Sequence, residues 1–169
     1  MKRAKRVSIL IGVVLAVLVS QASGASSSDD KILEFDTLVG VSGPFVGAPN
    51  PIRGVSGGGL PWQIDEGKGE LRADGSLEVE VEGLVLLDGA PVPPALRGTN
   101  PVPAFRAVVS CLTTVDGAPA TRNVSTDTFP ATTTGDAEIE AAVTLPSPCF
   151  VPIVFVTSPT GSWFAVTGL

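Results

Sequence analysis

Gly67-Lys68-Gly69-Glu70-Leu71-Arg72-Ala73-Asp74-Gly75-Ser76-Leu77-Glu78-Val79-Glu80-Val81-Glu82 carries Leu77, Val79 and Val81 in strict alternation with glutamates, next to an Asp-Gly turn signal. A period of two with turn chemistry at its centre is a β-hairpin with one face buried. A two-residue Asp74-Gly75 turn would set Leu71 opposite Glu78, mixing core and solvent faces. A three-residue loop, Ala73-Asp74-Gly75 with Gly75 left-handed, pairs Leu71 with Leu77, Glu70 with Glu78 and Lys68 with Glu80. The second register is expected. It leaves an outward face of Glu66, Glu70, Glu78, Glu80 and Glu82 with Lys68 among them.

The same period extends along the chain. Leu33, Phe35, Thr37, Val39 and Val41 share one parity, as do Phe105, Ala107, Val109 and Cys111, and Ala137, Ile139, Ala141, Val143 and Leu145. Apolar runs at 60–64, 83–87, 120–125, 150–157 and 162–167 add further strands, separated by Asp88-Gly89, Asp116-Gly117, Gly135-Asp136 and Pro159-Thr160-Gly161. No window has helical periodicity. The expectation is an all-β chain, a single β-sandwich (Ig-like or related) of roughly nine or ten short strands over residues 31–169, with no substantial helix.

The first 22 residues read differently. Lys2, Arg3, Lys5 and Arg6 precede a thirteen-residue apolar run, Val7 to Val19, and then small residues. This is the pattern of a secretory signal peptide, with cleavage expected after Ala22. The run falls short of the roughly 20 residues that span a bilayer, so no membrane span is expected in the mature chain. Ser23 to Asp30 reads as a flexible leader. Cleavage leaves seven basic residues against seventeen acidic ones, a net charge of −10. Such a surface repels phosphate backbones, which excludes nucleic acid as an expected partner. Cys111 and Cys149 are the only cysteines, and in an exported chain they are expected to form one disulfide.

Candidate chemistry is sparse. Gly54-Val55-Ser56-Gly57-Gly58 fits the G-x-S-x-G pattern of a nucleophilic serine, but the chain has no histidine to take the proton and no helix signal after the motif. With no histidine and both cysteines bonded, zinc, copper and haem lose their usual ligands, and no cofactor is expected. Asp65, Glu66 and Glu70 are weak oxygen-donor candidates for calcium, without a D-x-[DN]-x-[DN]-G loop. Glu70 opposite Glu78 is the one carboxylate pair with spacing suited to glycoside hydrolysis, on a face expected to be flat. The long irregular segments Gly43–Gly59 and Asp88–Pro103 are where binding is expected. Asn50 and Arg53 lie in the first and Trp62 borders it, while Trp163 neighbours Phe164 on opposite sides of a strand. These four are the candidate contact residues.

The segments Asn100-Pro101-Val102-Pro103-Ala104-Phe105-Arg106-Ala107-Val108-Val109-Ser110-Cys111-Leu112 and Pro148-Cys149-Phe150-Val151-Pro152-Ile153-Val154-Phe155-Val156-Thr157-Ser158-Pro159, with the closing Gly161-Ser162-Trp163-Phe164-Ala165-Val166-Thr167-Gly168, resemble small exported bacterial all-β proteins to which no function is attached. The resemblance implies export and nothing about activity. The expectation is a secreted, non-enzymatic binding or surface-associated module with an extracellular protein or polysaccharide as partner. A carboxylate-dependent polysaccharide hydrolase, or an inhibitor of an extracellular hydrolase working through Asp88–Pro103, are the alternatives.

Overall fold

A computed structural model describes residues 31–168. The expected signal peptide and the leader Ser23–Asp30 lie outside the described residues. Twelve strands form, all paired antiparallel: β1 Lys31–Phe35, β2 Leu38–Gly40, β3 Trp62–Gln63, β4 Glu66–Arg72, β5 Ser76–Glu82, β6 Val85–Leu86, β7 Ala104–Val115, β8 Ala118–Ser125, β9 Phe129–Pro130, β10 Ala137–Ala142, β11 Phe150–Thr157 and β12 Trp163–Thr167. A four-stranded sheet runs β1-β4-β5-β10. A larger sheet runs β2-β12-β11-β7-β8, with β9 also on β7, and β3 and β6 make a two-stranded ribbon. The arrangement is sandwich-like, and the helical content of the described residues is two single 3-10 turns at Gly43–Phe45 and Pro94–Leu96.

The hairpin of β4 and β5 takes the three-residue loop. Leu71 faces Leu77, Glu70 faces Glu78 and Lys68 faces Glu80. Gly75 has φ +91°, and a Cβ there would collide with the Val143 carbonyl. Parity sets the burial: Leu71, Leu77, Val79 and Val81 are buried, and the intervening glutamates point out. On β4 the inward positions beside Leu71 are Gly67 and Gly69, and the side chains of Leu38 and Phe35 occupy the space their missing Cβ atoms leave. Gly69→Val would force overpacking there, and an expected loss of about 1–3 kcal/mol is read from the midpoint of urea unfolding.

Two strands more than expected appear, and one expected strand is broken. Leu33 to Val41 alternates in sequence, but the buried residues are Phe35, Leu38 and Val41, while Val39 is half exposed. The chain leaves the four-stranded sheet after Phe35 and joins the larger one at Leu38, so the parity resets at Asp36-Thr37. The other addition, β9, is a two-residue pairing with Ala104 and Phe105 that no periodicity announces.

Between the sheets, Leu71, Leu77, Val79, Val81 and Ile139 meet Phe105, Ala107, Val109, Val154 and Val156 in one continuous core. The predicted disulfide joins Cys111 of β7 to Cys149 just ahead of β11, across 38 residues of chain. At one end Trp62 stacks on Phe164 with ring centroids 3.9 Å apart, and Phe105 meets both rings edge-on.

Candidate functional site

The four candidate contact residues are not gathered into one site. Asn50 is exposed and spends its amide on the Pro44 carbonyl at 2.7 Å. Arg53 sits in a left-handed conformation, φ +49°, and its guanidinium donates to the carbonyls of Ser110 and Val151 at 2.9 and 2.8 Å. Burial pulls its pKa below the usual arginine value. Its own carbonyl accepts the Asn123 amide at 3.0 Å. Trp62 and Trp163 are both inside: the expectation that one of Trp163 and Phe164 is exposed fails, because Trp163 packs between Phe45 and Phe155 while Phe164 faces the core.

Ser56 is no elbow nucleophile. Its carbonyl accepts the Trp163 amide, Gly57 forms a bridge to Trp163, and an irregular turn follows instead of a helix. The glycines around it serve close approach: a Cβ at Gly57 would strike the Phe45 carbonyl, and one at Gly58 would press on the Phe164 and Trp62 rings. The long irregular segment Gly43–Gly59 is a strap tied to the larger sheet.

The second long segment is also anchored. Val92 is buried, Arg97 donates to the Val92 carbonyl, and Leu86 pairs through its amide and carbonyl with Thr99 and Gly98. Asn100 is a buried hub that binds Val102 and the Thr132 and Thr133 carbonyls. Pro91, Pro93, Pro94 and Ala95 stand out into solvent, as do Asp88, Ala90, Gly98, Pro101 and Pro103.

The concentrated feature is the outer face of the four-stranded sheet. Every glutamate of the chain lies on its strands. The registers place Glu34, Glu70, Glu78 and Glu140 in one row across β1, β4, β5 and β10. Lys68, Glu80 and Glu138 form the next row, and Glu66 with Glu82 a third. Eight carboxylates face three cations: Lys31 bonds Glu34 and Glu70 at 3.0 and 2.9 Å, Arg72 bonds Glu70, and Lys68 reaches Glu80 at 3.1 Å and Glu66 at 3.5 Å. The face is grooved, with a volume of about 600 Å³ lined by the first two of these three rows. Sequence reading found five of the glutamates. Glu34, Glu138 and Glu140 were missed as members because their strands join from distant parts of the chain, although each sits in the same apolar alternation.

The electrostatics at Glu70 oppose its use as a general acid. A glycosidase needs one carboxyl raised so that it stays protonated. Hydrogen bonds from Lys31 and then Arg72 instead hold Glu70 below the ordinary carboxylate range. Asp65, Glu66 and Glu70 do not converge on a point, since Glu66 and Glu70 answer to different cations. Among the described residues no three acidic or thiol groups are placed to hold a metal ion.

At the sheet end, Asp136 accepts the hydroxyls of Thr134 and Thr132 at 2.6 and 3.0 Å and the Gly83 amide at 3.0 Å, in that turn replacing strand pairing. The Thr134 hydroxyl, then the Gly83 amide, lower its pKa, and Ser76 does the same for Asp74. Three carboxylates with depressed folded pKa values stabilise the protein above the unfolded carboxylate range and lose that contribution as pH falls through their folded values. The melting temperature is therefore expected to drop on acidification below about pH 4. Glu70→Gln should flatten part of that drop.

No protein-family model, no curated protein and no solved structure matches the chain.

Proposed function

We propose that the protein is an exported, non-enzymatic binding or surface-associated module whose contact surface is the glutamate sheet and whose partner is a cationic extracellular polypeptide. The observation that carries this reading is the gathering of all eight glutamates on one grooved face with only three cations to balance them. Glutamate rows directly opposite one another cost stability, so a sequence that keeps four in a row accepts a penalty that folding alone does not reward. Interleaved Lys31, Lys68 and Arg72 keep the sheet intact while leaving a net negative field over the groove.

The hydrolase alternative is less well supported, because Glu70, one of the pair it needs, is held ionised in the groove. The inhibitor alternative is less well supported because the Asp88–Pro103 segment is anchored through buried Val92 and Asn100 and gathers no concentrated charge.

Thermal melts with hexalysine, calcium and soluble oligosaccharides, each over a concentration series, test the reading. A ligand that prefers the folded state raises the melting temperature. Hexalysine alone should do so, with the shift fading as salt rises. A shift with an oligosaccharide and none with hexalysine would replace the proposed partner by a sugar.

A further inference from the structure

The central strands of the larger sheet are buried on both faces. Phe105, Val109, Val154 and Val156 point into the sandwich, while Val108, Ser110 and Phe155 belong to the outer face and are buried all the same. The strap Gly43–Gly59 is what covers them. It is pinned by Arg53 to the Ser110 and Val151 carbonyls, by Asn123 to the Arg53 carbonyl, by Ser56 and Gly58 to the backbone of Trp163, and by the Phe45 ring against Trp163.

This cover is lightly built. Six of its seventeen residues are glycine, and left-handed φ values occur at Gly43, Gly47, Arg53 and Gly54. Beneath it two buried polar groups, the Trp163 Nε1 and the Ser110 hydroxyl, have no hydrogen-bond partner among the described residues. An unpaired buried donor penalises the closed state and is relieved when water reaches it. Next to the strap the outer face already shows Leu112, Phe150 and Val151, the last two being the most exposed large apolar side chains described. Val151 is a β-branched residue at φ +44°, held in that unfavourable conformation at a bulge where Arg53 grips its carbonyl.

We infer that Gly43–Gly59 is a latch that opens as a unit while the sandwich stays folded. Arg53 is its catch. Opening adds Val108, Phe155 and Trp163 to the standing patch of Leu112, Phe150 and Val151, converting an edge into a broad apolar sheet face. This device is separate from the glutamate sheet, which lies on the opposite side of the sandwich.

Native-state hydrogen exchange under low guanidinium tests it, with the amides of Gly57, Gly58 and Trp163 reporting the latch and those of Val109 and Val154 the core. The latch amides are expected to exchange without denaturant dependence, through local opening, while the core amides follow global unfolding. Arg53→Ala should speed latch exchange by roughly ten- to a hundredfold, the equivalent of losing a hydrogen bond from a charged donor, with the core amides following the global stability of the variant. Asn123→Ala, which removes only the bond to the Arg53 carbonyl, should act in the same direction by less and covers the case in which the arginine variant fails to fold. Latch amides that exchange only with global unfolding in the wild type, at the denaturant slope of Val109, would overturn the inference.

Discussion

Trp62→Ala is expected to cost about 3–5 kcal/mol, the usual range for truncating a buried aromatic. The indole is 5% exposed, stacks on Phe164 at 3.9 Å between centroids and meets Phe105 edge-on at 6.4 Å. It stands on a two-residue strand whose own ladder is too short to hold it, so packing of the ring and the Trp62 amide bond to Val41 fix the ribbon against the larger sheet. Alanine would leave Phe164 and Phe105 facing a cavity. The glycine at 58 cannot refill it without a backbone shift, because the chain there already lies against the indole. Since a domain of this kind is stable by only about 5–15 kcal/mol, the variant should unfold at a much lower urea concentration with an unchanged slope. Trp62→Phe, which keeps a ring on Phe164, should recover most of the loss. An alanine variant within about 1 kcal/mol of the wild type would show that the ring lids the core without supporting it.

Removing the disulfide by replacing Cys111 and Cys149 together with alanine is expected to cost about 4 kcal/mol, the value a closed loop of this size has in the chain-entropy treatment. The 38-residue span contains β8, β9 and β10, which belong to both sheets, so the cross-link restricts the unfolded chain over the whole second half of the fold. Cys111 is fully buried, and its replacement also removes a packed sulfur from the core. Equilibrium unfolding of the oxidised wild type, the reduced wild type and the double variant separates the two effects. Reduced wild type should lie well below the oxidised protein and the double variant lower again by the lost packing of Cys111, and coincidence of all three would contradict the account.

The hairpin of β4 and β5 was legible to the residue, because its register depends on an Asp-Gly turn and on parity, both local. The break at Asp36-Thr37 was not. Phe35, Thr37, Val39 and Val41 keep perfect alternation while the chain changes sheets, and only tertiary pairing reveals that Leu38 rather than Thr37 turns inward. The seat of Gly43–Gly59 against the larger sheet was not read, although a signal was present. Val151 to Val156 is apolar on both parities, and a strand without a polar face needs cover on both sides. That pattern called for a covering segment, and the glycine-rich stretch is the one that fits closely against the sheet. The glutamate face was half visible for a similar reason: its central hairpin is local, whereas β1 and β10 reach it from opposite ends of the domain.

The binding role of the glutamate sheet is tested most directly by titrating hexalysine into the wild type and into a variant with Glu78, Glu80, Glu138 and Glu140 replaced by glutamine, at about 0.15 M salt where only contact-range charges act strongly. These four side chains point outward from their strands, so the variant should fold with equal or slightly greater stability as like charges are relieved. Saturable calorimetric binding to the wild type, lost in the folded variant, is the predicted result. Undiminished binding to the variant, or none to either protein, would contradict it.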